Sequence, residues 1–196
     1  MNTLPPNPTK LKIILASASP RRRELLHMIA PDFNLAPARD VDESHPDSIP
    51  AEQVPVYLSQ IKSDTYADII GPDNVLLTAD TVVICDNKIL GKPHTPAEAH
   101  AMLSMLAGRA HTVVTGVTLR TAHKTTSFGE TTTVHFANIS NTEIQNYIDL
   151  YQPMDKAGAY GIQEWIGAIG IQGIDGDFYN VMGLPLHRLY SELKKL

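Results

Sequence analysis

Cysteine is almost absent from this chain: Cys85 is the one thiol in 196 residues. A lone thiol forms neither an intrachain disulfide nor a cysteine zinc site, which excludes the disulfide scaffolds of secreted proteins and suits the cytoplasm. Long apolar runs are missing too, and nothing approaches the ~18 consecutive apolar residues of a membrane-spanning helix. There is no excess of positive charge: 16 Lys and Arg face 21 Asp and Glu, a formal net charge of -5. Nucleic-acid polymers are bound by exchanging their counterions for a basic face, so this balance opposes such a partner. It leaves room for a few cations aimed at a single phosphate chain. Eight histidines are present, none at the spacing of a helical zinc site, and most are expected on the surface or in loops. The glycines between Gly161 and Gly176 do not open a helix in a dinucleotide pattern, and Asp175-Gly-Asp177 lacks the rest of a calcium loop. Residues 1–10 carry Pro5, Pro6 and Pro8 without an apolar core, which reads as a disordered leader and not as a targeting segment.

What is present is the make-up of a globular protein. A content of 43% hydrophobic residues suffices to bury a core over residues 11–196, taken as one domain. Leu11–Ala16 is short, apolar and β-branched, and predicts a buried strand. Ser17-Ala-Ser-Pro20 then turns the chain into a helix over 21–29, with Ser19 suited to the N-cap and Pro20 to the first helical position. Strand patterns follow at Phe33–Pro37, Val75–Cys85, Thr112–Thr121 and Thr125–Asn138. Asp86-Asn87 predicts a hairpin turn into Lys88–Leu90. Helical patterns cover 51–70, 96–106, 142–151 and 186–196, and Ala168–Ile174 reads as a further strand. Cys85 falls in a buried strand and reads as packing. Helices and strands interleave throughout, so the class is α/β with a mixed sheet.

The strongest chemical signal is Ser17-Ala-Ser-Pro-Arg-Arg-Arg-Glu-Leu-Leu26. A strand enters a Ser/Pro turn and leaves as a helix whose first turn holds three arginines. Cations there oppose the helix dipole unless an anion neutralises them, and the free amides of the same turn attract anions. Phosphate binding and plain solvated charge are both open on this ground alone. Asp80 lies inside an otherwise apolar strand, where a carboxylate needs a partner. It is either functional or bonded to nearby backbone. Glu43 stands in the acidic loop 40–48, beside Asp40 and Asp42.

With Ala79-Asp-Thr-Val-Val83, Gly91-Lys-Pro93, Asp155-Lys-Ala-Gly-Ala-Tyr-Gly-Ile-Gln163 and Gly183-Leu-Pro185, this series resembles the Maf family of nucleotide pyrophosphatases over roughly residues 11 to 195. The resemblance implies a mixed sheet in two lobes around a nucleotide cleft, similar to the inosine-triphosphate pyrophosphatase-like fold. It implies hydrolysis of a nucleoside triphosphate to monophosphate and pyrophosphate with a divalent cation, Mg or Mn. By the same resemblance Ser19, Arg22, Lys62 and Lys92 bind the substrate phosphates. Asp80 is the general base, and Glu43 with Asp80 holds the metal. Arg21, Thr81 and Gln163 match the branch of the family that acts on dTTP and UTP. Gln163 offers a paired donor and acceptor to a pyrimidine edge. Asp155 and Lys156 either brace their loop or touch substrate. One departure stands out: Glu164-Trp165 occupies a place where the family commonly has Gly, which restricts the backbone there. The implied partner is a nucleoside triphosphate, with no membrane and no nucleic-acid polymer, and a homodimer is compatible with it. The competing readings are a pyrophosphatase of other base preference and a non-catalytic nucleotide or nucleic-acid binding regulator of cell division.

Overall fold

The computed structural model describes residues 6–196. Residues 1–5 of the expected leader lie outside the described residues. Within the rest of it, Asn7 donates to the Asp32 carbonyl at 2.8 Å. The elements in chain order are β1 (Lys12–Leu15), α1 (Pro20–Ile29), β2 (Phe33–Leu35), α2 (Val54–Thr65), β3 (Asn74–Cys85), β4 (Lys88–Leu90), α3 (Pro96–Leu106), β5 (Ala110–Arg120), β6 (Thr125–Phe136), α4 (Asn141–Tyr151), α5 (Trp165–Gly170), β7 (Ile171–Asp175), α6 (Phe178–Met182) and α7 (Leu186–Leu193). The strands form a mixed sheet in the order β2-β1-β3-β5-β6-β7, with β4 on β3. The α/β class expected from the sequence is the class observed. The chain divides into two compact units: the first takes the chain up to Asp80, Thr115–Glu130 and Gly183–Leu196, and the second Thr81–Val114 and Thr131–Met182.

In the first unit β1 pairs in parallel with both β2 and β3. A strand covered on both faces is buried without alternation, and Val75 to Ala79 of β3, the partner of β1, are all buried. Ser19 caps α1, its hydroxyl accepting from the Arg22 amide, and Pro20 opens the helix. Leu25 and Leu26 of α1 go inward, and α7 contributes Leu186, Leu189 and Leu193 at helical spacing. Gly116 of β5 lies so close to α2 that a Cβ would sit 2.2 Å from the Pro55 carbonyl carbon. Only glycine lets this helix approach the strand.

The second unit has its own core, in which Leu103 and Leu106 of α3 meet Ile144, Tyr147 and Ile148 of α4 together with Phe136 and Ile166. A reciprocal capping box between Ser140 and Glu143 starts α4. Asp86 and Asn87 both adopt left-handed backbone, at φ 49° and 60°. That conformation is what a two-residue turn between β3 and β4 demands. Burial alternates along Thr131–Phe136 of β6, with Thr132, Val134 and Phe136 buried.

Two expectations need correction. Ala168–Ile174 is not one strand: Trp165–Gly170 is helical and β7 begins at Ile171. A short apolar run cannot be assigned by periodicity, and Gly167 tips this one. Its amide donates to the Glu164 carbonyl at 2.9 Å, and a Cβ there would lie 1.8 Å from the Ile162 carbonyl oxygen. The helix expected over 51–70 is broken into a 3-10 turn at Ala51–Gln53, α2, and a second 3-10 turn at Ala67–Ile69. Pro55 lacks an amide proton and is accommodated only at the start of α2. The histidines are exposed or half-buried as expected, with the exception of His111. It is buried in β5, with Nε2 at 2.7 Å from the Tyr160 hydroxyl.

Candidate active site

In the first unit the folding of two short segments brings charges together. The turn after β1 is closed by the Ser17 hydroxyl accepting from the Ser19 amide at 3.2 Å. This turn sets the start of α1 and so the direction of the arginines. Arg22 is half-buried, and its guanidinium makes two hydrogen bonds of 2.8 Å, from Nε to the Gly183 carbonyl and from Nη1 to the Ala79 carbonyl. The Gly-Leu-Pro segment and the Ala-Asp-Thr segment of the sequence thus meet on one arginine. Burial lowers the Arg22 pKa from its ordinary value, opposed by the nearby Asp80 and Glu43 carboxylates and reinforced by Arg21.

Asp80 follows Ala79 on β3, and its carboxylate is matched by Lys62 in the last turn of α2. Lys62 Nζ lies 2.5 Å from Asp80 Oδ1 and 2.8 Å from Glu43 Oε1. The Lys62 and Asp80 side chains are each only 13% exposed, whereas Glu43 is 51% exposed. A buried carboxylate is tolerable when an ion pair and hydrogen bonds replace its water. Asp80 therefore has the partner that its apolar strand demanded. Glu43, Lys62, Asp80 and Arg22, four of the residues singled out from the sequence, form one cluster, with Ser19 capping the helix that carries Arg22.

Two carboxylates sharing one ammonium are a pair of hard oxygen ligands already arranged about a positive charge. Among the described residues there is no group of three or more His, Cys, Asp or Glu side chains that would cage a metal by itself. That donor set fits Mg or Mn, which bind one or two carboxylates and complete their shell with substrate phosphates and water.

The remaining sequence-singled residues belong to the second unit. Thr81 is half-buried next to Asp80 on β3, and Lys92 is exposed in the turn after β4. The Gly91 carbonyl beside Lys92 accepts from the Gly158 amide at 3.0 Å, which joins the Gly-Lys-Pro segment to the Asp-Lys-Ala-Gly segment. Gly158 has φ +69°, and a Cβ there would lie 3.0 Å from the Val83 side chain. Ala159 follows with φ +59° while fully buried. A non-glycine residue in that conformation holds roughly 1 kcal/mol of strain, tolerated where the surroundings over-determine it.

Gln163 is exposed at the tip of a tight turn, closed by the Glu164 amide donating to the Gly161 carbonyl at 3.0 Å. Lys156 is 7% exposed. Its ammonium lies 2.8 Å from Asp155 Oδ1 and 3.2 Å from Glu164 Oε1. Asp155 and Lys156 are thus a pair inside the loop. Tyr147 and Glu164 were not singled out as functional. The Tyr147 hydroxyl donates to the Glu164 carboxylate and accepts from the Gly161 amide at 3.0 Å. The one signal for Tyr147 was its place on the apolar face of α4, where a buried phenol must find a partner. At Glu164 the backbone is extended, at φ -94° and ψ 179°, open to any residue, so replacing glycine costs no strain there.

The family model described as Maf-like protein matches residues 12–196. A protein of Phocaeicola vulgatus named dTTP/UTP pyrophosphatase is 49% identical over 190 residues, covering 97% of this chain and 98% of its own. A protein of Bacteroides thetaiotaomicron with the same name is 50% identical over 190 residues, with the same coverage. Among solved structures, a HAM1 protein from Coxiella burnetii shares the fold with a TM-score of 0.50 at 16% identity, covering 95% of this chain and 100% of that one.

Proposed function

Because the chain belongs to the Maf-like family, we propose that it hydrolyses dTTP and UTP, and modified pyrimidine triphosphates, to the monophosphate and pyrophosphate. The names carried by its full-length relatives support this reading. The observation that carries it is the Glu43–Lys62–Asp80 cluster, with Lys62 Nζ at 2.8 and 2.5 Å from the two carboxylates. A pure binding module needs cations for phosphate but has no use for a carboxylate poised to take a proton from water.

Asp80 is the general base of this scheme. It is held in place by β3 and Lys62, and the carbonyl preceding it is fixed by Arg22. Positioned acid–base groups contribute about 10²–10⁴-fold to rate. A triphosphate brings roughly four negative charges, whose neutralisation and orientation form the larger part of phosphoryl-transfer catalysis. Ser19, Arg22, Lys62 and Lys92 supply a hydroxyl and three cations for it. Lys62 is a compact charge on a flexible stem and can exchange carboxylate for phosphate oxygens. Glu43 and Asp80 would hold a divalent cation, Mg or Mn, which when bound neutralises charge on the phosphates. In the second unit Gln163 reads the pyrimidine edge, with Arg21 of the first unit and Thr81 setting the branch preference. Residues 11–196 act as one functional domain. The lone Cys85, buried in β3, supports action in the cytoplasm.

The test is pyrophosphate release from dTTP, UTP, 5-methyl-UTP, CTP, GTP, 7-methyl-GTP and ATP with Mg or Mn. Release led by dTTP and UTP is expected. A profile led by a purine discards the roles of Arg21, Thr81 and Gln163, and no release from any nucleotide leaves a binding regulator as the reading.

A further inference from the structure

The loop that carries Gln163 contains more buried charge than the proposed chemistry uses. Lys156 is 7% exposed and contacts the carboxylates of Asp155 and Glu164. Tyr147, fully buried on α4, places its hydroxyl between Glu164 and the Gly161 amide. Burial and the Glu164 carboxylate both push the Tyr147 phenol up from its ordinary pKa. It stays protonated, donates its one proton to Glu164, and keeps its lone pair for Gly161. Every group in this chain of contacts therefore has one assigned direction.

Gly161 and Glu164 are the two ends of the turn whose tip is Gln163. Their main chains are bonded to each other at 3.0 Å, and both also bond one hydroxyl from α4. The fit is close: a Cβ on Gly161 would lie 2.7 Å from the Glu164 carboxyl carbon. Glu164 also starts α5, its carbonyl accepting from the Gly167 amide at 2.9 Å. An exposed Gln on a free loop would lose entropy on gripping a base. With the Gly161 end held by the buried Tyr147 hydroxyl and the Glu164 end by that hydroxyl and the Lys156 ammonium, the Gln163 backbone is fixed before substrate arrives.

We propose that Glu164, bridged by Tyr147 to Gly161 and neutralised by Lys156, is a positioning residue that aims Gln163 and thereby sharpens pyrimidine discrimination. The inference rests on the reading that Gln163 contacts the base. A site that hydrogen-bonds a substrate edge rejects the wrong edge strongly only while its donor and acceptor are held in place. The clamp acts on the ratio between nucleotides, not on the phosphate chemistry shared by all of them.

The experiment measures kcat/KM for UTP and for CTP in wild type, Tyr147→Phe, Glu164→Gly, Glu164→Gln and Gln163→Ala, with thermal unfolding of each. Tyr147→Phe keeps the ring and removes only the bridging hydroxyl, so it serves even where Glu164→Gly does not fold. The expected result is a UTP-to-CTP ratio reduced roughly tenfold, the order of one misplaced polar contact, in Tyr147→Phe and Glu164→Gly. Glu164→Gln still accepts from Tyr147 and recovers part of the ratio, while kcat/KM for CTP stays within about twofold of wild type. An unchanged ratio in Tyr147→Phe and both Glu164 variants, or equal losses on the two nucleotides, overturns the proposal. Gln163→Ala separates the two levels. If it flattens the ratio while the clamp variants do not, the clamp alone fails. If it leaves the ratio intact, base reading by Gln163 fails and the clamp with it.

Discussion

Removing the Arg22 guanidinium should cost both stability and turnover, and the structure sets the size of the first. Its Nε and Nη1 donate to the Gly183 and Ala79 carbonyls at 2.8 Å each. A hydrogen bond from a charged donor contributes about 1.5–3 kcal/mol net. Burial of the guanidinium, which lowers its pKa, offsets part of that gain, so the low end of the range applies to each bond. Arg22→Ala removes both bonds, and the pair together is worth about 3 kcal/mol. With a urea m-value of roughly 2 kcal/mol/M, the unfolding midpoint falls by about 1.5 M. Because the Ala79 carbonyl immediately precedes Asp80, kcat should fall as well. Urea unfolding followed by circular dichroism, with steady-state kinetics on UTP, checks both effects. A midpoint within about 0.3 M of wild type, with a raised KM alone, would show that Arg22 serves only the substrate phosphates and does not hold β3.

Asp80→Asn keeps the shape of the side chain and removes the base, so kcat should drop about 10²–10⁴-fold with the fold intact by circular dichroism; retained turnover removes Asp80 from that role. Lys92→Ala should raise KM for UTP by about tenfold with little change in kcat, as loss of a phosphate contact made equally in ground and transition states does, and an unchanged KM takes Lys92 out of the phosphate site. Burial, reinforced by His135, lowers the His111 pKa to about 4, below its usual 6.5 in the unfolded chain. The unfolded state then binds the extra proton, so the contribution of His111 is present above about pH 6.5 and is lost as pH falls towards 4. Wild type should lose about 2 kcal/mol more than His111→Gln between pH 7 and pH 5, read from urea midpoints, and parallel losses would contradict this.

How much was legible in the sequence depended on whether a residue's role is set by its neighbours along the chain. Ser19 and Pro20 announce the start of α1 because capping is local, and Asp86-Asn87 announces its hairpin because left-handed turns favour those residues. The Trp165–Gly170 helix was missed because its direction is decided by the contact of Gly167 with the Ile162 carbonyl, which no period reveals. At the site, Asp80 was conspicuous as a carboxylate in an apolar strand, and its need for a partner was predictable. That the partner would be Lys62 followed only from α2 packing beside β3. His111 and Tyr147 were passed over for one reason: a buried polar side chain looks like any other until its partner from a distant segment, Tyr160 or Glu164, is in place.

Under the proposed function the Asp80 cluster cleaves a pyrimidine triphosphate between its α and β phosphates. Phosphorus NMR of dTTP incubated with the full chain and Mg, alongside Asp80→Asn, tests it most directly. Wild type should give dTMP and pyrophosphate, with a rate about 10²–10⁴-fold lower in the variant. Formation of dTDP and inorganic phosphate, or equal rates in the two proteins, would contradict it.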